Sequence, residues 1–321
     1  MTGPPSGGPV YIRPMSDTVD TCIVGSGLGG LSIARRLEAE GTDYVVLDKG
    51  RSPGGRAGTR RFAESRFDHG LPWLTEKGPL TRELIGRGLQ AGVLSELEDA
   101  GNGEPAWFSA AGISSVGKHL AKGLKVRNRV RVTGIAEEDG HLNLTTETDG
   151  EESGIRVRRN LFVTAPLPQA LDLMEPLLGS SLRPDAEPFE KCIVAMVAAR
   201  PDSIPASGRV TVIPDHLKFP DVEPGFSVRF SAEDSEQLFD ADEDRIKAFV
   251  NETLGTTIPP EQIQIMKWRY ANGSGAVREP FFEAEAGAVS IALCGDAFFG
   301  GTATGTEASL MSCHAAYDAL A

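Results

Sequence analysis

Residues 18–48 read TVDTCIVGSGLGGLSIARRLEAEGTDYVVLD, and the reading of the fold starts from this stretch. Thr18 to Val24 is a short apolar and β-branched run, the composition of a buried strand, and it ends directly in Gly25-Ser26-Gly27-Leu28-Gly29-Gly30. Leu31, Ala34 and Leu37 then recur at helical spacing until Gly41 stops the helix. Tyr44 to Leu47 forms a second apolar run with Asp48 at its carboxyl end, about 20 residues past the glycines. A glycine triplet alone is weak evidence, but a strand before it, a helix after it and an acid at the next strand tip make a dinucleotide-binding unit. Gly25 permits the tight turn, Gly27 lets the backbone approach a pyrophosphate, and Gly30 allows the helix to pack closely on the strand. The free amides of the helix start, at Leu28, Gly29 and Gly30, favour the phosphates, and Asp48 accepts hydrogen bonds from ribose hydroxyls. The competing reading is a glycine turn with no ligand, which leaves Asp48 unexplained.

Lys49 to Arg66 is loop-like and basic, with Lys49, Arg51, Arg56, Arg60, Arg61 and Arg66 against a single acid, Glu64. The whole chain of 321 residues carries a formal charge of −13, so such a window marks a local anion site better than it marks a random surface. Within it, Gly54-Gly55-Arg56 lies a few residues past Asp48, where small residues let a guanidinium meet a pyrophosphate bidentately.

Several short motifs occur in one order: Asp48-Lys49-Gly50-Arg51, Gly54-Gly55-Arg56, Thr59-Arg60-Arg61, Phe67-Asp68-His69-Gly70, Trp268-Arg269-Tyr270-Ala271 and Gly295-Asp296. In order and spacing the chain resembles the renalase-like bacterial branch of the flavin amine-oxidase superfamily. The resemblance implies non-covalent FAD lying along Gly25, Gly27, Leu28, Gly29, Gly30, Asp48, Lys49, Gly55 and Arg56. It also implies Pro72 and Trp73 beside the flavin ring, Val132 facing adenine through its backbone, and Gly295-Asp296 near the ribityl or pyrophosphate part. Thr306-Glu307-Ala308 should start a helix aimed at the flavin, where a helix N-terminus stabilises developing negative charge. His69, Trp73, Trp268 and Tyr270 are the candidate catalytic or pocket residues, with ordinary packing the competing reading for Trp268 and Tyr270. Relatives carry an amide and a tyrosine where this chain has Pro72-Trp73, and a Ser-Gly pair where it has Ser312-Cys313, which bears on substrate more than on cofactor.

The expected fold class is α/β: a discontinuous Rossmann-like FAD-binding domain (residues 18–75, 115–166 and 286–321) and a smaller α+β substrate domain with an antiparallel sheet (76–114 and 167–285). Thr81 to Glu98 shows helical spacing, and Lys125 to Val163 alternates as a small antiparallel meander. Leu161 to Ala165 is taken as a separate strand returning to the first sheet. Residues 1–17, rich in Gly and Pro, are expected to be a flexible tail, and no apolar run reaches the ~20 residues of a membrane span.

Net charge argues against nucleic acid and anionic membranes as partners. Cys22, Cys192, Cys294 and Cys313 are scattered without a metal-ligand or disulfide pattern, which suits buried thiols in a reducing cytoplasm. His119, His141, His216 and His314 lack metal spacing, so no metal is expected. Neither a nucleophile elbow nor a zinc-protease helix motif is present. The enzyme reading is hydride transfer from a small molecule, a nicotinamide dinucleotide by the resemblance, to flavin N5, with oxygen reoxidising the flavin to hydrogen peroxide. An amine oxidase or desaturase is one alternative; a non-catalytic flavin-binding sensor or scaffold is another.

Overall fold

The computed structural model describes residues 17–97, 104–179, 189–200, 208–273, 275 and 277–320. The expected tail lies outside these residues except for Asp17, which already belongs to the first strand. The first part of the chain runs β1 (Asp17–Val24), α1 (Leu28–Ala39), β2 (Tyr44–Asp48), β3 (Thr59–Phe62), β4 (Ser65–Asp68) and α2 (Pro79–Gln90). Next come β5 (Ser95–Leu97), β6 (Ala106–Phe108), α3 (Ser114–Ala121), β7 (Val126–Asn128), β8 (Arg131–Glu138), β9 (His141–Thr148), β10 (Glu151–Val163) and α4 (Leu167–Leu178). The rest is β11 (Phe189–Val197), β12 (Val210–Ile213), α5 (Asp215–Lys218), β13 (Phe226–Phe230), α6 (Ala232–Leu238), α7 (Glu243–Leu254), β14 (Ile263–Gly273), β15 (Phe282–Ala286), β16 (Val289–Leu293) and α8 (Gly305–Leu320).

The larger sheet has the order β15-β16-β10-β1-β2-β7, with β9 pairing the first half of β10 and β8 pairing β9. The strands from β16 to β7 run parallel and are covered on both sides, which is why they read as unbroken apolar runs. Successive side chains alternate faces. Cys22, Val45, Leu161 and Ile291 pack toward α4 through Leu167, Ala170, Leu171 and Met174. Ile23, Val46, Phe162 and Ala292 pack toward α1 and α8 through Ile33, Leu37, Ala316 and Tyr317. Burying each large apolar side chain contributes about 1.5–3 kcal/mol, so these two layers fix the sheet between its helices.

The smaller sheet is antiparallel, in the order β12-β13-β11-β14. One face, including Ile193, Ala195, Val228 and Ile265, packs on Ile246, Phe249 and Val250 of α7. That helix is started by the Asp242 side chain, which accepts from Arg245 N at 2.8 Å, and ended by Gly255 in the left-handed region. The opposite face carries Cys192, Val194, Met196, Ser227, Arg229 and Trp268, and it meets the first domain.

Several local expectations differ from the structure. The helix expected over Thr81–Glu98 ends at Gln90, because Gly92 turns the chain at φ 65° and β5 follows; Glu98 itself lies outside the described residues. Lys49 to Arg66 is not all loop, since β3 and β4 form a hairpin whose turn residues, Ala63 and Glu64, adopt positive φ without the usual Asn or Gly. The meander strand and the returning strand are one: β10 pairs antiparallel with β9 at its start and parallel with β1 at its end. Residues 167–178, assigned to the substrate side without a helix, form α4 and pack in the larger sheet's core. Residues of α2 likewise join a cluster with Leu28 and Leu310 of α1 and α8.

Candidate functional site

The carboxyl ends of β1, β2, β7, β10 and β16 lie along one edge of the sheet, where ligands of open parallel sheets bind. At that edge Gly25 takes φ 114° and its amide donates to Leu47 O at 2.8 Å. A methyl group on Gly30 would meet Gly25 O at 2.2 Å, so the helix can seat on the strand only with glycine there. A methyl on Gly27 would meet nothing within 4 Å, and α1 starts at Gly27 with no side chain capping its amides. The second glycine motif folds back onto the first: Gly54 N donates to Ser26 O at 2.8 Å, and Gly54 bridges Gly27. The two glycine fingerprints thus share one groove, open above Gly27.

Asp48 sits at the strand tip as expected. Its Oδ2 accepts from Ser26 N and Ser26 Oγ at 2.6 and 2.7 Å, and its Oδ1 accepts from Gly50 N at 2.6 Å. Beside it in the sheet is Asn128, whose buried Oδ1 has no partner. Lys49 Nζ donates to Gln169 Oε1 at 3.2 Å, and burial, with Arg131 nearby, lowers its pKa. Val132 lies on β8 at the rim of the larger sheet's core. Arg56 is committed: its guanidinium meets Asp296 twice, at 2.7 and 2.6 Å, and also donates to Ala271 O at 3.0 Å. Gly55, at φ 58°, lies directly against Gly27.

The segment from Asp68 to Trp73 lies between the Arg56–Gly58 loop and the smaller sheet. His69 and Trp268 stack, with ring centroids 5.4 Å apart and planes 16° from parallel, so the structure brings these two candidates together. Burial, then the nearby Arg60 and Arg229 guanidiniums, lower the His69 pKa to about 4, and its Nδ1 has no partner. The ring is therefore neutral at ordinary pH. Tyr270 instead packs edge-on against Phe189 at 5.8 Å, and Trp73 is half-buried ahead of Leu74, which is hydrogen-bonded to Trp107.

Sequence reasoning passed over a buried charged cluster under this segment. Lys218 Nζ reaches Asp215 Oδ1 at 2.8 Å, Asp68 Oδ2 at 3.0 Å and Pro72 O at 3.1 Å, and all three side chains are essentially inaccessible. Burial, against the pull of Lys218, raises the Asp215 pKa. Asp68 also accepts from Thr59 Oγ1 and from Ile113 N, at the start of α3. The only signal in the sequence was Asp68 within the Phe67-Asp68-His69-Gly70 motif; Lys218 sits in a helix too short to show periodicity.

Among the residues expected at the start of α8, Thr306 is half-buried and Ala308 is buried. Glu307 turns inward, its carboxylate accepting from Leu80 N at 3.1 Å and Thr81 N at 2.7 Å, where it caps α2. Gly295 precedes Asp296 at φ 151°, with open space where a side chain would stand. All four cysteines are buried free thiols. Among the described residues no cluster of three or more His, Cys, Asp or Glu could hold a metal. Among the described residues no helix is long and apolar enough to cross a membrane. A cavity of about 340 Å³ opens between the amino ends of β1 and β2 and the Leu124–Arg127 segment; it lies at the far edge of the sheet and none of the site residues lines it.

Residues 23–87 match the family model of an NAD(P)-binding Rossmann-like domain. Over 59 residues the chain is 46% identical to a neurosporene-forming phytoene desaturase of Cereibacter sphaeroides, a stretch that makes up 18% of this chain and 11% of that protein. Similarity in fold extends much further. Cyclohexylamine oxidase from Brevibacterium oxydans superposes with a TM-score of 0.63 at 13% identity, over 94% of this chain and 98% of that one. An oxidoreductase from Methanosarcina mazei superposes with a TM-score of 0.62 at 14% identity, over 93% and 100%. Residues 23–87 thus match a Rossmann-like NAD(P)-binding domain, and they are set within an α/β fold that 93–94% of the chain shares with these two proteins.

Proposed function

We propose that this chain is a cytoplasmic FAD-dependent oxidoreductase, renalase-like in its chemistry, acting on a small hydride donor such as a dihydronicotinamide, with oxygen as acceptor. The observation that carries the reading is the joining of the two glycine motifs at Gly27, with open space above it. Residues there fit a pyrophosphate: uncapped amides at the start of α1, no side chain in the way, and an orphaned polar atom on Asn128 beside Asp48.

In this reading the amides of Leu28, Gly29 and Gly30 and the Gly54-Gly55 backbone hold the phosphates, while Asp48 takes the ribose. Lys49 and Val132 flank the adenosine end. Arg56 and Asp296, paired to each other, brace the middle of the groove. Bound there, FAD supplies a hydride acceptor that is reoxidised by oxygen to give hydrogen peroxide. Pro72, Trp73, His69 and Trp268 form the wall that orients the donor and excludes water, and the start of α8 at Thr306-Glu307-Ala308 turns its amides toward the ring. A neutral His69 suits a donor whose own nitrogen lone pair expels the hydride, because no base is required.

The test is the spectrum of the purified protein followed by anaerobic mixing with dihydronicotinamide isomers. Yellow protein that bleaches, then recovers in air with release of peroxide, is expected. Flavin that stays oxidised contradicts the donor class, and bleaching by amines alone moves the reading to amine oxidation.

A further inference from the structure

Three side chains of the substrate-side domain donate to backbone carbonyls of one short segment. Trp268 Nε1 donates to His69 O at 2.9 Å, an Arg229 Nη donates to Gly70 O, and Lys218 Nζ donates to Pro72 O at 3.1 Å. They come from β14, β13 and α5, so they share no local structure, yet they converge on residues 69–72. The segment's amides point the other way: His69 N donates to Gly58 O and Leu71 N to Arg56 O, both in the dinucleotide-binding part. Each side of the segment is therefore held by a different domain.

The donors are themselves anchored. Trp268 is fixed by its stack on His69, Arg229 touches Cys192 Sγ at 3.9 Å across the sheet, and Lys218 is held by two buried carboxylates. A half-buried guanidinium given to a carbonyl, with Arg229 in no ion pair among the described residues, is costly unless the position of that backbone matters. Gly70 lies tightly against the Arg56 backbone, since a methyl there would meet Arg56 O at 1.9 Å.

We propose that Lys218, Arg229 and Trp268 are positioning residues, a three-point carbonyl clamp that sets His69, Pro72 and Trp73 against the reacting face of the site. The consequence for reaction geometry rests on the FAD reading above; the clamp itself does not. Lys218 and Arg229 act only through the segment they hold, whereas Trp268 also presents its ring beside His69.

The experiment compares wild type with Trp268→Phe, Arg229→Met and Lys218→Met. Trp268→Phe is the mild variant, since it keeps an aromatic ring on His69 and removes only the donor. In cofactor-free protein, hydrogen exchange at His69 and Leu71 should quicken by tenfold or more, while β1, β16 and α7 exchange as in wild type. With FAD bound, the flavin absorption envelope should shift and the anaerobic reduction rate should fall by tenfold or more at unchanged FAD affinity. Unchanged exchange at His69 and Leu71 in Trp268→Phe and Arg229→Met overturns the clamp. Faster exchange with a wild-type spectrum and reduction rate overturns its role in positioning. A wild-type chain that takes up no FAD defeats the cofactor reading instead, and the exchange measurement still decides the clamp.

Discussion

Arg56 and Asp296, 240 residues apart in the chain, face each other with both guanidinium–carboxylate bonds made, at 2.7 and 2.6 Å. The pair ties the loop after β2 to the loop after β16. Asp296 is buried, with 5% of its side chain accessible, whereas Arg56 keeps 31%, so the pair is only partly screened. Replacing Arg56 by Met leaves a buried carboxylate with Gly273 N, at 3.2 Å, as its remaining donor. The expected loss is roughly 2–3 kcal/mol, below the value for a fully buried pair. Arg56→Lys should recover part of it, since one ammonium cannot match both oxygens. Thermal unfolding of the two variants checks this ordering.

Glu307 provides a second stability test. Its carboxylate closes the start of α2 by accepting from Leu80 N and Thr81 N. Glu307→Gln turns one acceptor into a donor that faces a backbone amide, and it removes the favourable charge at the helix N-terminus. The variant should lose about 1–2 kcal/mol, with α2 amides exchanging faster than those of α7.

The cores of the two sheets were legible in the sequence to different degrees, for physical reasons. The unit from β1 to β2 stands out because parallel strands buried on both faces leave unbroken apolar runs, and its glycine turn has no cheap substitute at Gly25 or Gly30. The long strand β10 was split in two because its first half is half-exposed and alternates, while its second half is buried. The β3–β4 hairpin left no trace, since Ala63 and Glu64 occupy a turn that usually announces itself with glycine. In the site, His69 and Trp268 were named singly and their stacking was invisible, as was the pairing of Arg56 with Asp296. The cluster of Lys218 with Asp68 and Asp215 could not be read as a cluster, since only Asp68 stood in a motif. Its members are polar residues whose burial exists only in the tertiary structure.

His69 gives a pH prediction. Its folded pKa, near 4, is depressed by burial and by Arg60 and Arg229, whereas the unfolded chain takes up that proton near pH 6.5. Between these values the unfolded state binds more protons, so stability falls as the pH drops below about 6.5 and stops falling from this cause below about 4. From about pH 7.5 to about pH 5 the contribution is about 2 kcal/mol. Denaturant unfolding of wild type and His69→Gln at both values isolates it, and the variant should lose less. Equal losses would mean that His69 titrates normally.

The central claim, that one dinucleotide lies in the groove where the two glycine motifs meet, is tested most directly at Gly27. A methyl group there has free space and φ is an ordinary −64°, so Gly27→Ala should unfold at the wild-type temperature without cofactor. FAD affinity, measured by flavin fluorescence quenching on apoprotein, should nonetheless fall at least tenfold, about 1.4 kcal/mol, because the methyl occupies the place of a phosphate. Wild-type FAD affinity in Gly27→Ala would contradict the account.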